Sequence, residues 1–233
     1  MAGARIFSNT ILSRLSSNCI SAFGRNLEPI DLEPRQTLYF PNKLIQQACF
    51  PESGMLSIVS TMNDGRSIEV GTIGSEGVAG VTFLDDAVKL PYHCYVQMSG
   101  RGHVVDVAIL NDIVKQDETL RALLARYQLA FLIQSLQGIA CNGLHSVAQR
   151  CCRWLLTSHD RAQSSVVPIT HEFLALMLGV RRASVTEVLG PLQDRGFLQS
   201  SRGEITILDR SALEAGSCEC YGMIVEQQRQ LIS

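Results

Sequence analysis

Arg181, Arg182, Ser184 and Glu187 fall on one side of a helical repeat, and together they offer the chemistry of edge recognition on a polyanion. An arginine guanidinium is a planar fork of N–H donors that fits two acceptors at once, a serine hydroxyl donates to phosphate, and a glutamate accepts from an amino group. Arg202, in Ser200-Ser201-Arg202-Gly203, sits where a turn would carry it to a phosphate. Thr170 opens the same region and is counted with these contacts.

Those side chains need a frame, and the surrounding residues supply one. Thr170 is a suitable N-cap for a helix starting at His171, and Glu172 lies in its first turn, where the helix dipole favours negative charge. Ala175 is small, as a close helix crossing requires, and Gly179 suits a left-handed turn between two helices. Leu174, Leu178, Val180, Val185 and Val188 point inward and fix the angle. The second helix starts at about Arg181 and exposes the polar set, as a recognition helix does to a major groove. Pro191 lacks an N–H, which predicts a kink or early end around Gly190. Gly196 to Leu208 reads as strand, turn, strand, a wing with Arg202 at its tip.

Charge agrees in distribution more than in amount. The chain has 233 residues and a net charge of −2, yet residues 145–210 hold 8 basic and 6 acidic side chains, every base an arginine. Residues 1–144 hold 11 and 13, and residues 211–233 hold 1 and 3. Hydrophobic residues at 46% and charged residues at 18% describe a chain that folds rather than a disordered one. No run approaches the roughly 18 apolar residues of a membrane span, and residues 1–25 lack an export signal, so the expected location is the cytoplasm.

Upstream, Leu27 to about Asp106 is punctuated by Pro and Gly between short β-rich runs: 37–40, 54–62, 67–72, 92–98 and 103–107. Asp64-Gly65 between two of them marks a tight turn. The spacing predicts a barrel or β-roll. Ile6, Ile11, Leu12 and Leu15 precede it as a small packing helix. At Asp117, a plausible N-cap, the period becomes helical, with Leu120, Leu124, Tyr127 and Phe131 at spacings of four, three and four. Leu123, Ala130, Ile133 and Leu136 widen the stripe, so one face would meet the β-roll and the other a second copy; a plain core helix gives the same pattern. A helix from about Leu144 to His159 follows, then a linker at Gln163-Ser164-Ser165.

The eight cysteines show no CxxC pair and no four-ligand zinc or iron–sulfur spacing. Cys151–Cys152 and Cys218-x-Cys220 read as small buried hydrophobes ahead of thiol sensors. His93, His103, His145, His159 and His171 are dispersed, and no nucleophile has a recognisable base, so neither metal ligands nor catalytic residues are expected.

With these residues placed, the chain resembles the family of the cyclic-AMP receptor protein and the fumarate–nitrate regulator. The resemblance implies an α+β architecture: a cyclic-nucleotide-binding-like β-roll sensor over 1–116, a dimerisation helix over 117–143, and a winged helix-turn-helix over 144–233. It further implies a homodimer on an inverted-repeat operator, with double-stranded DNA and RNA polymerase as partners, no enzymatic activity and no membrane. The family's recognition pattern S-R-E-T-V-x-R is matched by Arg181-Arg182-Ala183-Ser184-Val185-Thr186-Glu187, which keeps the first arginine as Arg182 and changes the other readers. The family's phosphate cassette corresponds to Gly80-Val81 and Tyr92-His93-Cys94, without its carboxylate and arginine. Cyclic nucleotide is therefore not expected, and Cys19 alone cannot hold the family's N-terminal iron–sulfur centre; no haem, iron–sulfur or other cofactor is expected. An unidentified small-molecule effector would use Gly74, Glu76, Gly80, Tyr92, His93 and Cys94. The alternative is a β-roll module that regulates a partner protein without touching DNA.

Overall fold

A computed structural model of the chain describes residues 7–80, 89–162 and 164–232. Ile6, Val81 and Gln163, named above, lie outside the described residues. Two short helices, α1 (Thr10–Ser13) and α2 (Ser17–Phe23), lead into the strands β1 (Glu28–Leu32), β2 (Thr37–Tyr39), β3 (Gln47–Pro51), β4 (Met55–Thr61), β5 (Ser67–Ile73), β6 (His93–Met98) and β7 (Gly100–Asp106). They pair into two antiparallel sheets, β1-β7-β3 and β2-β6-β4-β5. The Asp64-Gly65 turn joins β4 to β5 as expected, with Gly65 at φ +84° and the Met62 N–H donating to the Arg66 carbonyl at 2.8 Å. Strands β1 and β3 escape the sequence reading because each contains a proline. Both lie at sheet edges, where a missing N–H leaves no ladder bond broken.

Strand β4 separates two cores. Leu56 and Ile58 face the interior of the β-roll, whereas Met55 and Val59 face the opposite way, into a core shared with the C-terminal half. Burial on both faces explains why this strand reads as an apolar run rather than an alternation. Fully buried residues of this kind, such as Leu56 and Leu155, stabilise by roughly 1.5–3 kcal/mol each through burial.

Helix α3 (Val107–Gln116) closes the roll, and α4 (Glu118–Leu144) begins at Asp117, whose carboxylate accepts the Leu120 N–H at 2.8 Å. Then come α5 (Val147–Ala162), β8 (Val166–Val167), α6 (His171–Leu178), α7 (Arg182–Asp194), β9 (Leu198–Ser201), β10 (Glu204–Ile207), α8 (Arg210–Gly216) and α9 (Cys220–Ile232). Strand β8 adds to the β9–β10 hairpin to make a three-stranded wing, order β8-β10-β9. Helix α9 turns back along α4 and Ile232 is buried in the sensor core, while Tyr221 near its start packs on the C-terminal core and bonds Arg210 and Asp160, so this helix spans both halves.

Placement of α4 turns the residues expected at a dimer contact toward the chain's own interior. Leu120, Leu124 and Tyr127 are buried in the chain's own core, and Phe131 packs on it with its ring against Gly71 of β5. Exposed instead are Leu129, Leu132, Leu136 and Ile139, spaced three, four and three. That spacing is the a/d repeat of a coiled-coil seam. Among the described residues no helix is long and apolar enough to cross a membrane.

A candidate nucleic-acid interface and the joint that carries it

Helix α6 starts where Thr170 caps it, its hydroxyl oxygen accepting the Phe173 N–H at 3.2 Å. The hydroxyl proton remains to donate to a phosphate. The helix stops at Gly179, which adopts φ +64° while the Val180 N–H donates to the Ala175 carbonyl at 2.9 Å. Two constraints meet at this glycine: the left-handed backbone, and Ile68 of β5, whose Cδ1 would stand 2.6 Å from an added Cβ. Gly179→Ala is expected to destabilise the fold by about 1–3 kcal/mol in chemical denaturation, with DNA affinity per folded molecule unchanged.

Helix α7 leaves that turn with Val185 and Leu189 buried against α6, and Val180 and Val188 half-buried beside them. Arg181, Arg182 and Glu187 are exposed and Ser184 is half-buried, so the predicted polar set does share one open side. Arg181 is the N-cap residue without a side-chain cap, which leaves first-turn N–H groups available to an anion. The expected kink at Gly190 does not stop the helix, which runs through Pro191 to Asp194. The residue before the proline is glycine, so no Cβ meets the pyrrolidine ring, and Pro191 itself faces solvent. Arg202 is exposed in the β9–β10 turn, with Gly203 at φ +87°.

His171, one of the dispersed histidines of the sequence, is a positioning residue. Its Nδ1 lies 3.1 Å from the Thr186 hydroxyl of α7, and its Nε2 lies 2.9 Å from the Ser200 hydroxyl of β9. One imidazole thus ties the recognition helix to the wing. Gln193 adds a second tie, accepting the Ser200 N–H at 2.8 Å. Histidine at the start of α6 was visible in the sequence, but its partners are 15 and 29 positions away.

The helix-turn-helix sits on the outer face of the β2-β6-β4-β5 sheet. Tyr95 meets Phe173 edge to face at 6.2 Å between centroids, and Trp154 donates its indole N–H to Glu69 at 2.8 Å. Arg161 of α5 makes three polar contacts across this joint, reaching the Thr72 hydroxyl, the Glu76 carboxylate and, at 3.1 Å, the Gln134 side-chain oxygen of α4. Glu76 is therefore an ion-pair partner between domains rather than a free ligand group. Arg150 bridges the joint between α4 and α5, donating to Asn142 and to the Leu178 carbonyl, each at 3.0 Å.

The other expected effector residues do not converge. Cys94 is fully buried, and His93 stacks on Phe40 and meets the Thr37 hydroxyl at 3.0 Å. Gly80 closes on the Gln47 carbonyl, and Gly74 gives its N–H to Glu76. Tyr92 alone of the set lines a cleft of about 560 Å³ walled by β5, α4 and α5, including Phe131, Trp154 and Met177. Glu69 opens on this cleft half-buried, and desolvation outweighs the hydrogen bonds from Ser57 and Trp154, pushing its carboxyl up to about 7. The folded state then holds this proton more tightly than the unfolded chain, so its contribution to stability is full at the acid end and is lost as pH rises toward 7. Relative to Glu69→Gln, the wild type is expected to lose roughly 1–2 kcal/mol between pH of about 5 and 7, less than the full shift because solvent reaches the cleft. Parallel denaturant titrations of the two proteins at several pH values check this.

Residues 149–215 match the family described as Crp-like helix-turn-helix domain. A search of curated proteins returned no match. Among solved structures, a Crp/Fnr-family transcriptional regulator from Eubacterium rectale is 19% identical with a TM-score of 0.69, over 88% of this chain and 96% of that one. FixK2 from Bradyrhizobium japonicum is 15% identical with a TM-score of 0.69, over 82% and 98%. A CRP-family transcriptional regulator from Thermus thermophilus is 19% identical with a TM-score of 0.67, over 81% and 96%. The chain carries a Crp-like DNA-binding helix-turn-helix domain, and its fold is that of the Crp/Fnr transcription regulators.

Proposed function

We propose that the chain acts as a homodimeric, sequence-specific regulator of transcription that places α7 of each protomer in successive major grooves of an inverted-repeat operator. The observation that carries this reading is the open face of α7, where Arg181, Arg182, Ser184 and Glu187 stand together while Val185 and Leu189 anchor the helix beneath them. Arg182 reads guanine O6 and N7 with its fork, and Glu187 accepts from a cytosine amino group. Thr170, Ser184 and Arg202 contact phosphates and fix the register. The two protomers join through Leu129, Leu132, Leu136 and Ile139 of α4, whose a/d spacing and exposure suit a parallel helix pair.

An effector, where one acts, enters the cleft between β5, α4 and α5. Among the described residues Glu69 and Arg153 are the only charged ones lining it, so the cleft suits an apolar molecule with a small polar group better than a cyclic nucleotide. Because both domains wall this cleft, an occupant would shift the helix-turn-helix against the β-roll and so set the spacing of the two recognition helices. The bound dimer then recruits or blocks RNA polymerase in the cytoplasm, and we assign the chain no catalytic role.

Retention of sheared duplex DNA by the purified chain over a range of salt concentrations tests the DNA-binding part. Affinity that falls linearly on log–log axes, through release of counterions from contacted phosphates, supports the reading. No retention even at low salt would leave the β-roll as a module for a protein partner.

A further inference from the structure

Three thiols and an imidazole, drawn from two distant stretches of chain, meet at the far end of α4. Cys141 lies in its last turn and His145 caps it, one turn further on; Cys218 follows α8, and Cys220 opens α9. The three cysteines are 0%, 4% and 0% exposed. They form a buried group of their own, apart from the two apolar cores. Cys49 and Cys94 sit among aliphatic side chains in the sensor core, as cysteines that merely fill space do. The trio at the end of α4 clusters instead with one another.

Its geometry is that of a coordination sphere. Cys141 Sγ and Cys218 Sγ are 3.5 Å apart, Cys220 Sγ and His145 Nδ1 are 3.5 Å apart, and all four donor atoms lie within 4.8 Å of one another. Tetrahedral zinc, with Zn–S of about 2.3 Å and Zn–N of about 2.0 Å, sets its ligand atoms roughly 3.5–3.8 Å apart. The outer contacts are those that orient metal ligands. His145 Nε2 faces the Glu219 carboxylate at 3.2 Å, which turns Nδ1 toward the thiols, and Gln137 donates to Cys220 Sγ at 3.0 Å.

We propose that the chain binds one zinc(II) ion through Cys141, His145, Cys218 and Cys220. Binding converts the three thiols to thiolates, whose protons pass to solvent, and takes His145 as neutral imidazole through Nδ1. The ion clamps α9 and the segment before it to α4. Because His145 also begins the joint between α4 and α5, the clamp fixes the point at which the helix-turn-helix hangs from the helix carrying the leucine seam. Four ligands from the chain close the sphere, so the site is structural and holds no open position for a substrate. An iron–sulfur cluster fits less well, because its ligands are divided among two or more irons and so span a wider sphere than these four donor atoms.

Metal analysis of the full chain, purified without chelators, is the test, together with cobalt(II) exchange followed by visible and near-ultraviolet absorption. About one zinc per chain is expected, and cobalt should give the intense ligand-field bands of a tetrahedral thiolate site with sulfur-to-metal charge transfer. Cys220→Ser should weaken or abolish those bands, and His145→Cys should retain them with stronger charge transfer. Glu219→Gln should keep the site but lower zinc affinity by about 10–100-fold in competition with a chromophoric chelator. Titration of the wild-type chain stands even if a cysteine variant fails to fold. A folded wild-type chain that takes up neither zinc nor cobalt would overturn the proposal, as would resident iron or a Cys141–Cys218 disulfide in its place. The readout is metal binding, so it is independent of whether the chain binds DNA.

Discussion

Arg182→Ala should weaken binding to the chain's own operator by about 1–3 kcal/mol at each half-site, while leaving its affinity for unrelated duplex nearly unchanged. The reason lies in what an exposed arginine in the first turn of α7 can do that a phosphate contact cannot. A guanidinium forked onto guanine O6 and N7 reads one base pair, so its loss makes the protein tolerant there and nowhere else. Arg182 is exposed and makes no salt bridge among the described residues, which leaves its donors free for a base edge. Competition binding with operators substituted at single positions separates the cases. Equal weakening on every sequence, with a salt slope lower by about one per half-site, would turn Arg182 into a phosphate contact.

The second large effect concerns the seam. Leu132→Asp combined with Leu136→Asp puts two carboxylates where two protomers would bury leucine, and sedimentation should show a monomer. Operator affinity should then fall by about 10²–10⁴-fold, because each half-site must be held without the linked second contact. Folding should be preserved, since Leu132 is 52% and Leu136 is 56% exposed in the single chain. Leu124→Ala gives the contrast. That side chain is fully buried within its own protomer, so its truncation should cost about 2–5 kcal/mol of stability and leave any dimer contact untouched. A double aspartate variant that remains dimeric would move the interface off this face of α4.

How much of this was legible in the sequence depends on how local each feature is. The helix-turn-helix was readable almost entirely, because Thr170, Ala175, Gly179 and Val185 specify cap, crossing, turn and core within one short stretch of chain. Asp117 and the Asp64-Gly65 turn were readable for the same reason. Helix α4 defeated the reading in one respect. It is apolar on two faces, and periodicity does not say which face meets the β-roll; burial of Leu120, Leu124 and Tyr127 settles that, and Leu129, Leu132, Leu136 and Ile139 are left exposed as the seam we propose. Strands β1 and β3 were hidden by Pro29 and Pro51, which read as breaks until their places at sheet edges are known.

The polar sites were less legible, because their members are far apart in the chain. Glu76 looked like part of a ligand loop, but its partner is Arg161, 85 residues on. The thiol and imidazole group depends on Cys141 meeting Cys218 across 77 positions, a distance over which spacing rules for metal ligands are silent. The one local hint was Cys141-x-x-x-His145, an i, i+4 pair at a helix end. It points two donors to one side, and it needed the return of α9 to become four.

Whether α7 reads DNA as one of a pair is decided by sequencing genomic fragments selected by the purified, effector-free chain at near-physiological salt. Enrichment of an inverted repeat whose half-sites lie about one helical turn apart is expected, as two recognition helices related by a two-fold axis require. Enrichment of a single unrepeated element would contradict the dimeric arrangement. Failure to enrich any sequence, with or without added small molecules, would contradict the assignment of α7 as a reader of DNA.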